Sequence, residues 1–186
     1  RGGQPMIDPA LAGRAILAVF AHPDDESLAC GGTLARLADE GMHVIVMTAS
    51  HGERGAQTGP ARDEALGRTR ARELQEAAAR LGIAEVIIAD HPDGDLQWAH
   101  VTEFHAELVT FMRRRMPAAV MTFGEDGLYW HRDYVGVYER TTTADRSPPG
   151  DVPSLLHATA ARGVMTGIVK AARATRLTPP AQRFSS

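Results

Sequence analysis

The sequence predicts an α/β fold in which a mostly parallel sheet lies between layers of helices. Short apolar runs, typical of strands buried on both faces, alternate with longer segments of helical periodicity. A helix between successive strands makes those strands parallel, joined by right-handed crossovers. A polar loop also follows each apolar run, and functional residues in such sheets gather beyond the carboxyl ends of the strands. The predicted strands cover 15–20, 44–49, 86–89 and 118–123.

The intervals between these strands have the apolar spacing of amphipathic helices. In the third interval, for example, Phe104, Leu108 and Phe111 recur at helical spacing. The predicted helices cover 27–40, 62–81 and 101–115. Beyond the fourth polar loop we expect a helix at 135–144, a Pro/Gly break at 147–153, a strand at 155–158 and a closing helix at 160–174.

Length and composition are those of one globular domain. A chain of 186 residues can bury a sizeable core, and its hydrophobic content of 44% and charged content of 23% are ordinary. No internal repeat is visible. We therefore expect a single domain over 1–186, with flexible tails at 1–12 and 176–186.

Charge and cysteine content argue against several classes of protein. A net charge of -3 and a pI near 6.2 disfavour a protein that binds nucleic-acid phosphates. The densest basic cluster, at 113–115, lies at the end of a predicted helix, where the negative end of the helix dipole stabilises cations. The one cysteine, Cys30, excludes an intramolecular disulfide, and no long apolar run or signal pattern is present. We expect a cytoplasmic protein with no nucleic-acid or membrane partner, and a homo-oligomer is compatible with the sequence.

The segment His22-Pro23-Asp24-Asp25-Glu26 places four ionisable side chains directly after the first apolar run. His22 and Asp25 can reach one divalent ion from a tight turn that Pro23 stiffens. Asp24 would lie close to such an ion without binding it, which suits a general base. Spacing alone leaves two interpretations open: half of a metal site, or a solvated turn whose aspartates cap the next helix.

Five segments carry motifs that are more specific together, and in this order, than any one of them alone. They are HPDDE at 22–26, T-x-x-x-G-E-x-G at 48–55, R-x-x-E-L-x-x-A-x-x-x-L at 70–81, P-D-G at 92–94 and Y-x-H-R-D-Y at 129–134. In this set the chain resembles the LmbE-like, or PIG-L, family of zinc-dependent N-acetylglucosaminyl deacetylases. The similarity covers about residues 16–144, most of the chain.

The resemblance implies a three-layer Rossmann-like fold, two metal ligands, a general base, a group that stabilises the oxyanion, and residues that hold the substrate. The implied metal ligands are His22 and Asp25, and the implied general base is Asp24. His131, oriented by Asp133, is implied to stabilise the oxyanion, with Tyr129 near the substrate carbonyl. The residues implied to hold the substrate are Arg70, Asp93 and Glu53. Arg70 is also explained as a solvated helix charge, and Asp93 as an ordinary turn residue before Gly94.

Tyr134 stands where the family's second motif has the histidine that completes the zinc ligands. A catalytic zinc usually keeps three protein ligands and an open position, and tyrosine binds well only after losing a proton whose pKa is about 10. Three interpretations follow. Tyr134 binds a harder metal such as iron or manganese; or His131, His51 or His91 supplies the third ligand; or the metal site is weakened or lost.

The sequence thus predicts a metal-dependent hydrolase. It would remove an acetyl or other acyl group from the amide of an N-acetyl amino sugar or glycoconjugate, by attack of metal-bound water. The expected cofactor is a divalent metal, zinc first, with iron or manganese as alternatives, and the expected partner is a small amino-sugar substrate.

Two other functions are compatible with parts of the sequence. Because Tyr134 replaces the third ligand, the chain could be a catalytically impaired relative that binds a sugar or nucleotide. Dinucleotide binding has weaker support, since Gly31 and Gly32 come after the carboxylates and no G-x-G-x-x-G follows the first strand.

Overall fold

Strands and helices alternate along the chain in the computed structural model, as the apolar runs predict. It describes residues 7–55, 63–97, 101–145 and 154–159. The strands are β1 (Ala15–Phe20), β2 (His43–Thr48), β3 (Glu85–Ile88), β4 (Ala119–Phe123) and β5 (Ser154–Ala158). The helices are α1 (Asp25–Asp39), α2 (Asp63–Leu81), α3 (Val101–Arg115), α4 (Gly127–Trp130) and α5 (Arg132–Asp145), and a 3₁₀ turn covers Pro9–Leu11.

The strands of the described chain are all parallel and form one sheet in the order β3-β2-β1-β4-β5. Helix α1 packs against α2, and α3 packs against α5. Strands β2 and β3 are added in turn on one side of β1, and β4 and β5 are added on the other side. The direction in which successive strands are added therefore reverses between β1 and β4. A crevice at such a reversal is where α/β sheets bind ligands. The predicted α/β fold with a parallel sheet flanked by helices is confirmed.

The core is centred on β1, which is buried from Ile16 to Phe20. At the end of this strand the Phe20 ring meets the edge of Phe123 on β4, with ring centroids 5.3 Å apart. Each large apolar side chain buried in this way contributes about 1.5–3 kcal/mol. The loops that follow β1 and β4 therefore begin in a well-packed part of the core.

Some elements differ from the sequence prediction. Helix α4 was not expected, and α1 begins at Asp25, inside the HPDDE segment, instead of at residue 27. Within the expected flexible tail 1–12, Pro9–Leu11 form a 3₁₀ turn, and the Ile7 N–H donates to the Glu40 carboxylate at 3.0 Å.

Other expectations fall on parts of the chain outside the described residues. These are the helix at 160–174, the Pro/Gly break at 147–153 and the tail at 176–186. Among the helices that are described, none combines the length and the apolar character needed to cross a membrane.

Candidate active site

Four loops meet at the carboxyl edge of the sheet, as the sequence predicts. They follow β1, β2, β3 and β4. His22 from the first loop contacts Asp93 from the third and Asp133 at the start of α5, and Asp93 in turn accepts a hydrogen bond from the Arg54 N–H of the second. The convergence of the four loops follows from the parallel sheet, which brings the carboxyl ends of all strands to one edge.

The turn after β1 is held by its own carboxylates. Asp24 has a left-handed φ of 102°, which is unfavourable for a residue other than glycine. Its N–H donates to Glu26 at 3.0 Å, and the His22 N–H donates to Asp25 at 2.8 Å. His22, Asp25 and Glu26 are buried. A solvated turn does not account for three buried ionisable side chains, so the structure favours the interpretation as a site.

His22 lies among three carboxylates. Its Nε2 is 3.0 Å from Asp133 Oδ2 and 3.0 Å from Asp93 Oδ1, and its Nδ1 is 3.5 Å from Asp25 Oδ2. Burial alone would lower the pKa of His22, but hydrogen bonding to the carboxylates outweighs it and raises that pKa well above the usual value. The environment therefore favours positive charge at this point, from a proton or from a metal ion.

The two carboxylates at Nε2 are fixed by backbone N–H groups. Asp133, itself buried, accepts from Gly94 at 2.9 Å and from Leu96 at 3.2 Å. Asp93 accepts from Arg54 at 2.7 Å. Burial would raise the pKa of Asp93, yet hydrogen bonding to His22 and the charge of His22 lower it. Carboxylates held in this way orient the imidazole, as outer partners of metal-binding histidines do.

Tyr134 places its hydroxyl on Asp25. Its ring stacks on Phe123, with centroids 4.1 Å apart and planes 6° from parallel, and its hydroxyl donates to Asp25 Oδ1. Burial, together with the charge of Asp25, raises the pKa of Tyr134 above its usual value. The residue that replaces the expected histidine is therefore next to a predicted ligand, but as a neutral phenol.

His131 lies opposite His22 and differs from expectation in its partner. The two rings are 5.5 Å apart, and the Tyr129 ring lies 5.9 Å from that of His131. Asp133, expected to orient His131, turns instead to His22 and to the loop after β3. His131 Nδ1 is buried without a hydrogen-bond partner among the described residues. Burial and the nearby charge of His22 lower the pKa of His131, so its neutral form is favoured.

Asp24 is the accessible carboxylate of the HPDDE turn, with its side chain 69% exposed. Arg70 from α2 donates to it at 2.9 Å and also binds the carbonyls of Pro23 at 2.7 Å and Gly52 at 2.8 Å. Partial burial of Asp24 raises its pKa, and Arg70 opposes that rise. Arg70 thus holds the proposed base in place, which a solvated helix charge would not do.

Glu53 supports the site from the loop after β2. Its Oε1 accepts from the Asp93 N–H at 2.9 Å, whereas its Oε2 is buried with no partner in the described part of the chain. Glu53 and Asp93, both expected to hold substrate, are therefore engaged with each other and with the loops. Asp93 is only 6% exposed.

The group of side chains best placed to hold a metal in the described chain is His22 with Asp93 and Asp133, whose ligand atoms all lie within 4.8 Å of one another. The expected set was His22, Asp25 and Tyr134. The two sets use opposite nitrogens of His22, since Asp93 and Asp133 face Nε2 and Asp25 faces Nδ1. Either way, one imidazole among three carboxylates fits a divalent cation.

The further histidines considered as replacement ligands face other partners. His51 Nε2 lies 3.6 Å from Asp90, and His91 Nε2 lies 2.9 Å from Glu107. Neither belongs to the group that could hold a metal among the described residues. Of the replacement ligands considered, only His131 faces His22 directly, through its ring.

Sequence reasoning missed the contacts of Asp93 and Glu26. The P-D-G motif marks Asp93 but not its position beside His22, which depends on how two loops pack. Glu26 was visible as the last residue of HPDDE, and its position directly before the predicted helix 27–40 was the available signal for an anchor. The left-handed residues Leu128 and Trp130 have no sequence signature.

Comparison with known proteins matches the chain to a family whose description is that of a de-N-acetylase. The family model described as PIG-L: GlcNAc-PI de-N-acetylase matches residues 17–144. A 1D-myo-inositol 2-acetamido-2-deoxy-alpha-D-glucopyranoside deacetylase of Thermobispora bispora is 33% identical over 195 residues, covering 88% of this chain and 65% of the relative. The chain thus spans less than two thirds of that relative's length.

Solved structures share the fold. A conserved protein of Thermus thermophilus aligns with a TM-score of 0.63 at 28% identity, covering 80% of this chain and 68% of that one. The N,N'-diacetylchitobiose deacetylase of Pyrococcus horikoshii aligns with a TM-score of 0.66 at 21% identity, covering 92% and 73%. Since the family match takes in the HPDDE loop, the Arg70 helix, the P-D-G turn and the second histidine motif, the chain belongs to the PIG-L family of GlcNAc-PI de-N-acetylases.

Proposed function

We propose that this chain is a metal-dependent hydrolase that removes the acetyl group from the amide of an N-acetyl amino sugar. The observation that carries the proposal is the arrangement at the end of β1. An accessible Asp24 carboxylate stands beside the buried pair His22 and Asp25, and His131 faces His22 from the opposite loop. A base, a cation site and a neutral imidazole can together activate water, polarise the amide carbonyl and stabilise the oxyanion.

His22 and Asp25 are the proposed metal ligands, with zinc as the first candidate ion and iron or manganese as alternatives. If Asp93 and Asp133 accept the Nε2 proton of His22, the Nδ1 lone pair is directed to the side of Asp25. Tyr134 completes this side of the site as a neutral phenol that restrains Asp25. When bound, the metal would polarise the amide oxygen and acidify water.

Asp24 is the proposed general base. It would take a proton from the attacking water and then deliver that proton to the leaving amine nitrogen. Because its surroundings raise its pKa, Asp24 is a stronger proton acceptor than a fully solvated aspartate. Arg70 keeps the carboxylate oriented through a 2.9 Å hydrogen bond and so limits how far the side chain can turn into solvent.

His131 is the proposed donor to the oxygen of the tetrahedral intermediate. Its neutral form, favoured by burial, still carries one N–H that can donate to a developing oxyanion. Removing such a donor typically costs about 3–4 kcal/mol of barrier. Tyr129, which is partly exposed beside this ring, is proposed to approach the same carbonyl oxygen.

The substrate class rests on what the relatives act on. The Thermobispora relative is named as the deacetylase of a glucosaminide linked to inositol, and the Pyrococcus structure is of a diacetylchitobiose deacetylase. Both names describe an acetamide on a glucosamine ring. An acetylated glucosaminide is therefore the first substrate to test here, and amides with longer acyl groups are the second.

The experiment is an acetate-release assay on the chain after metal removal and after reloading with zinc, iron(II) or manganese. N,N'-diacetylchitobiose and a methyl glycoside of N-acetylglucosamine serve as substrates, and His22→Ala serves as the metal-deficient control. We expect acetate only from reloaded wild-type protein. Stoichiometric metal without acetate from either sugar would contradict the proposal, and binding of these sugars by the inactive protein would support the sugar-binding alternative.

A further inference from the structure

The turn between β4 and α5 carries an exposed tryptophan in a strained backbone. Leu128 and Trp130 both have left-handed φ angles, 62° and 65°, and the Trp130 side chain is 75% exposed. A left-handed conformation is unfavourable for either residue, and an indole in water leaves a large apolar surface unburied. Strain of this kind persists where the surrounding structure imposes it, and it is concentrated at functional sites.

Hydrogen bonds and a glycine fix this turn. The Trp130 N–H donates to the Asp126 carbonyl at 2.7 Å, and the Leu128 N–H donates to the Asp126 carboxylate at 3.1 Å. At Gly127, whose φ is 50°, a Cβ atom would lie 3.0 Å from Tyr134 Cβ. The backbone that carries Trp130 is therefore held in place.

Trp130 lies between two residues of the proposed active site. Tyr129 and His131 are its chain neighbours, and their rings lie 5.9 Å from each other. His131 in turn faces His22 at 5.5 Å. Since consecutive Cα atoms are about 3.8 Å apart, the indole is anchored one residue from the groups that would act on the amide.

We propose that Trp130 stacks on a sugar ring of the substrate and so determines which acetamides the site accepts. This inference rests on the proposed function and adds the group that recognises the ring. The axial C–H groups of a pyranose form an apolar face, which matches the electron-rich face of an indole, while the ring hydroxyls at the rim stay in water. Such a contact would cover the exposed apolar surface of Trp130.

A sugar fits this place better than an acyl chain does. The charged residues Glu125 and Arg132, on the same turn, are exposed, so the indole stands among polar groups. A flat apolar face with polar groups around it matches the mixed surface of a sugar ring, whereas an acyl chain gains most from a continuous apolar groove.

The first test uses the fluorescence of Trp130 itself. The sequence has two tryptophans, so Trp98→Phe leaves Trp130 as the only one. We expect its emission to move to shorter wavelength on titration with N,N'-diacetylchitobiose, because the ring removes water from the indole. N-acetylethanolamine, which has the acetamide but no ring, should leave the emission unchanged. An equal shift with both probes, or none with the sugar, overturns the inference.

The second test separates recognition of the ring from chemistry. Trp130→Ala should raise KM for the acetylated sugar about tenfold, the scale of an aromatic contact, and leave kcat within about twofold. Trp130→Phe should recover part of the loss. Met116→Ala is the matched control, since Met116 is also exposed and left-handed, and it should change neither constant.

The outcomes distinguish this inference from the proposed function. An active Trp130→Ala protein with an unchanged KM overturns the stacking role and leaves the proposed function standing. A wild-type protein that releases no acetate overturns the proposed function, yet a sugar-specific shift in Trp130 emission still supports stacking. The fluorescence test keeps Trp130 in place, so a folding defect in Trp130→Ala cannot decide the question.

Discussion

The loop after β1 and the loop after β4 supply the two halves of the candidate site, and they are built differently. In the first, the His22 and Asp24 N–H groups donate to carboxylates of the same turn. In the second, His131 Nδ1 has no partner within the described chain, and Trp130 is strained and exposed. The first loop pairs its backbone N–H groups with its own carboxylates, whereas the second leaves a buried imidazole nitrogen unpaired among the described residues and an indole in water.

Two contacts couple these loops. The Tyr134 hydroxyl donates to Asp25, and Asp133 lies against His22 Nε2 at 3.0 Å. Through these contacts the second loop controls both proposed metal ligands of the first. A change in the second loop, such as tyrosine in place of histidine, is therefore expected to alter metal binding while leaving the base of the first loop intact.

The largest expected effect is on the proposed base in the first loop. Asp24→Asn keeps the size and left-handed tolerance of the residue but removes the proton acceptor, so acetate release should fall about a thousandfold. Bound zinc should remain, because Asp24 is not a proposed ligand. Turnover is followed by acetate release and metal by elemental analysis.

Asp39→Asn is the matched control, since Asp39 is an exposed carboxylate at the other end of α1. It should keep wild-type turnover. If Asp24→Asn kept wild-type turnover as well, the role of base would belong to another residue.

The second effect addresses the replaced ligand. Tyr134→His should tighten zinc binding about 100-fold, because a neutral imidazole binds without losing a proton from a phenol whose pKa is raised. Competition with a chromogenic zinc chelator measures the dissociation constant. Tighter zinc binding in this variant would show that residue 134 of the second loop limits the metal affinity of the wild-type site.

Tyr134→Phe is the companion variant, since it keeps the ring that stacks on Phe123 and removes the hydroxyl. We expect its zinc affinity to fall about tenfold, because it loses the hydroxyl that restrains Asp25. Complete loss of bound zinc in Tyr134→Phe would mean that the Tyr134 oxygen is itself a ligand, as one of the sequence-based interpretations holds.

These two loops also show what a sequence can predict. HPDDE was interpretable because the proposed ligands and base are adjacent in the chain, and adjacency fixes their distance. The alternation of apolar runs predicted the fold for the same reason, since it is a local pattern. The contact of Asp133 with His22 joins different loops, and the strain at Trp130 depends on packing, so neither leaves a local signal.

The third effect is on folding. Asp133→Asn should lower the free energy of unfolding by about 2 kcal/mol, because an amide cannot accept all the hydrogen bonds from His22, Gly94 and Leu96 and leaves buried groups unpaired. Urea denaturation measures the change.

Asp126→Asn is the control within the second loop. Asp126 caps α4 by accepting from the Leu128 N–H, and asparagine caps as well as aspartate does, so the change should stay within about 0.5 kcal/mol. Equal losses in Asp133→Asn and Asp126→Asn would contradict a special role for Asp133 in joining the loops.

The smallest effect concerns pH. Arg70 lowers the pKa of Asp24, so Arg70→Gln should raise that pKa further. Because the base must be deprotonated, activity is present above the pKa of Asp24 and is lost as pH falls through it. The acidic limb of the pH profile of kcat/KM should therefore move to higher pH in Arg70→Gln, and Arg70→Lys, which keeps the charge, should move it less. An acidic limb that stays in place in both variants would mean that another group sets it, since Arg70 is the cation paired with Asp24.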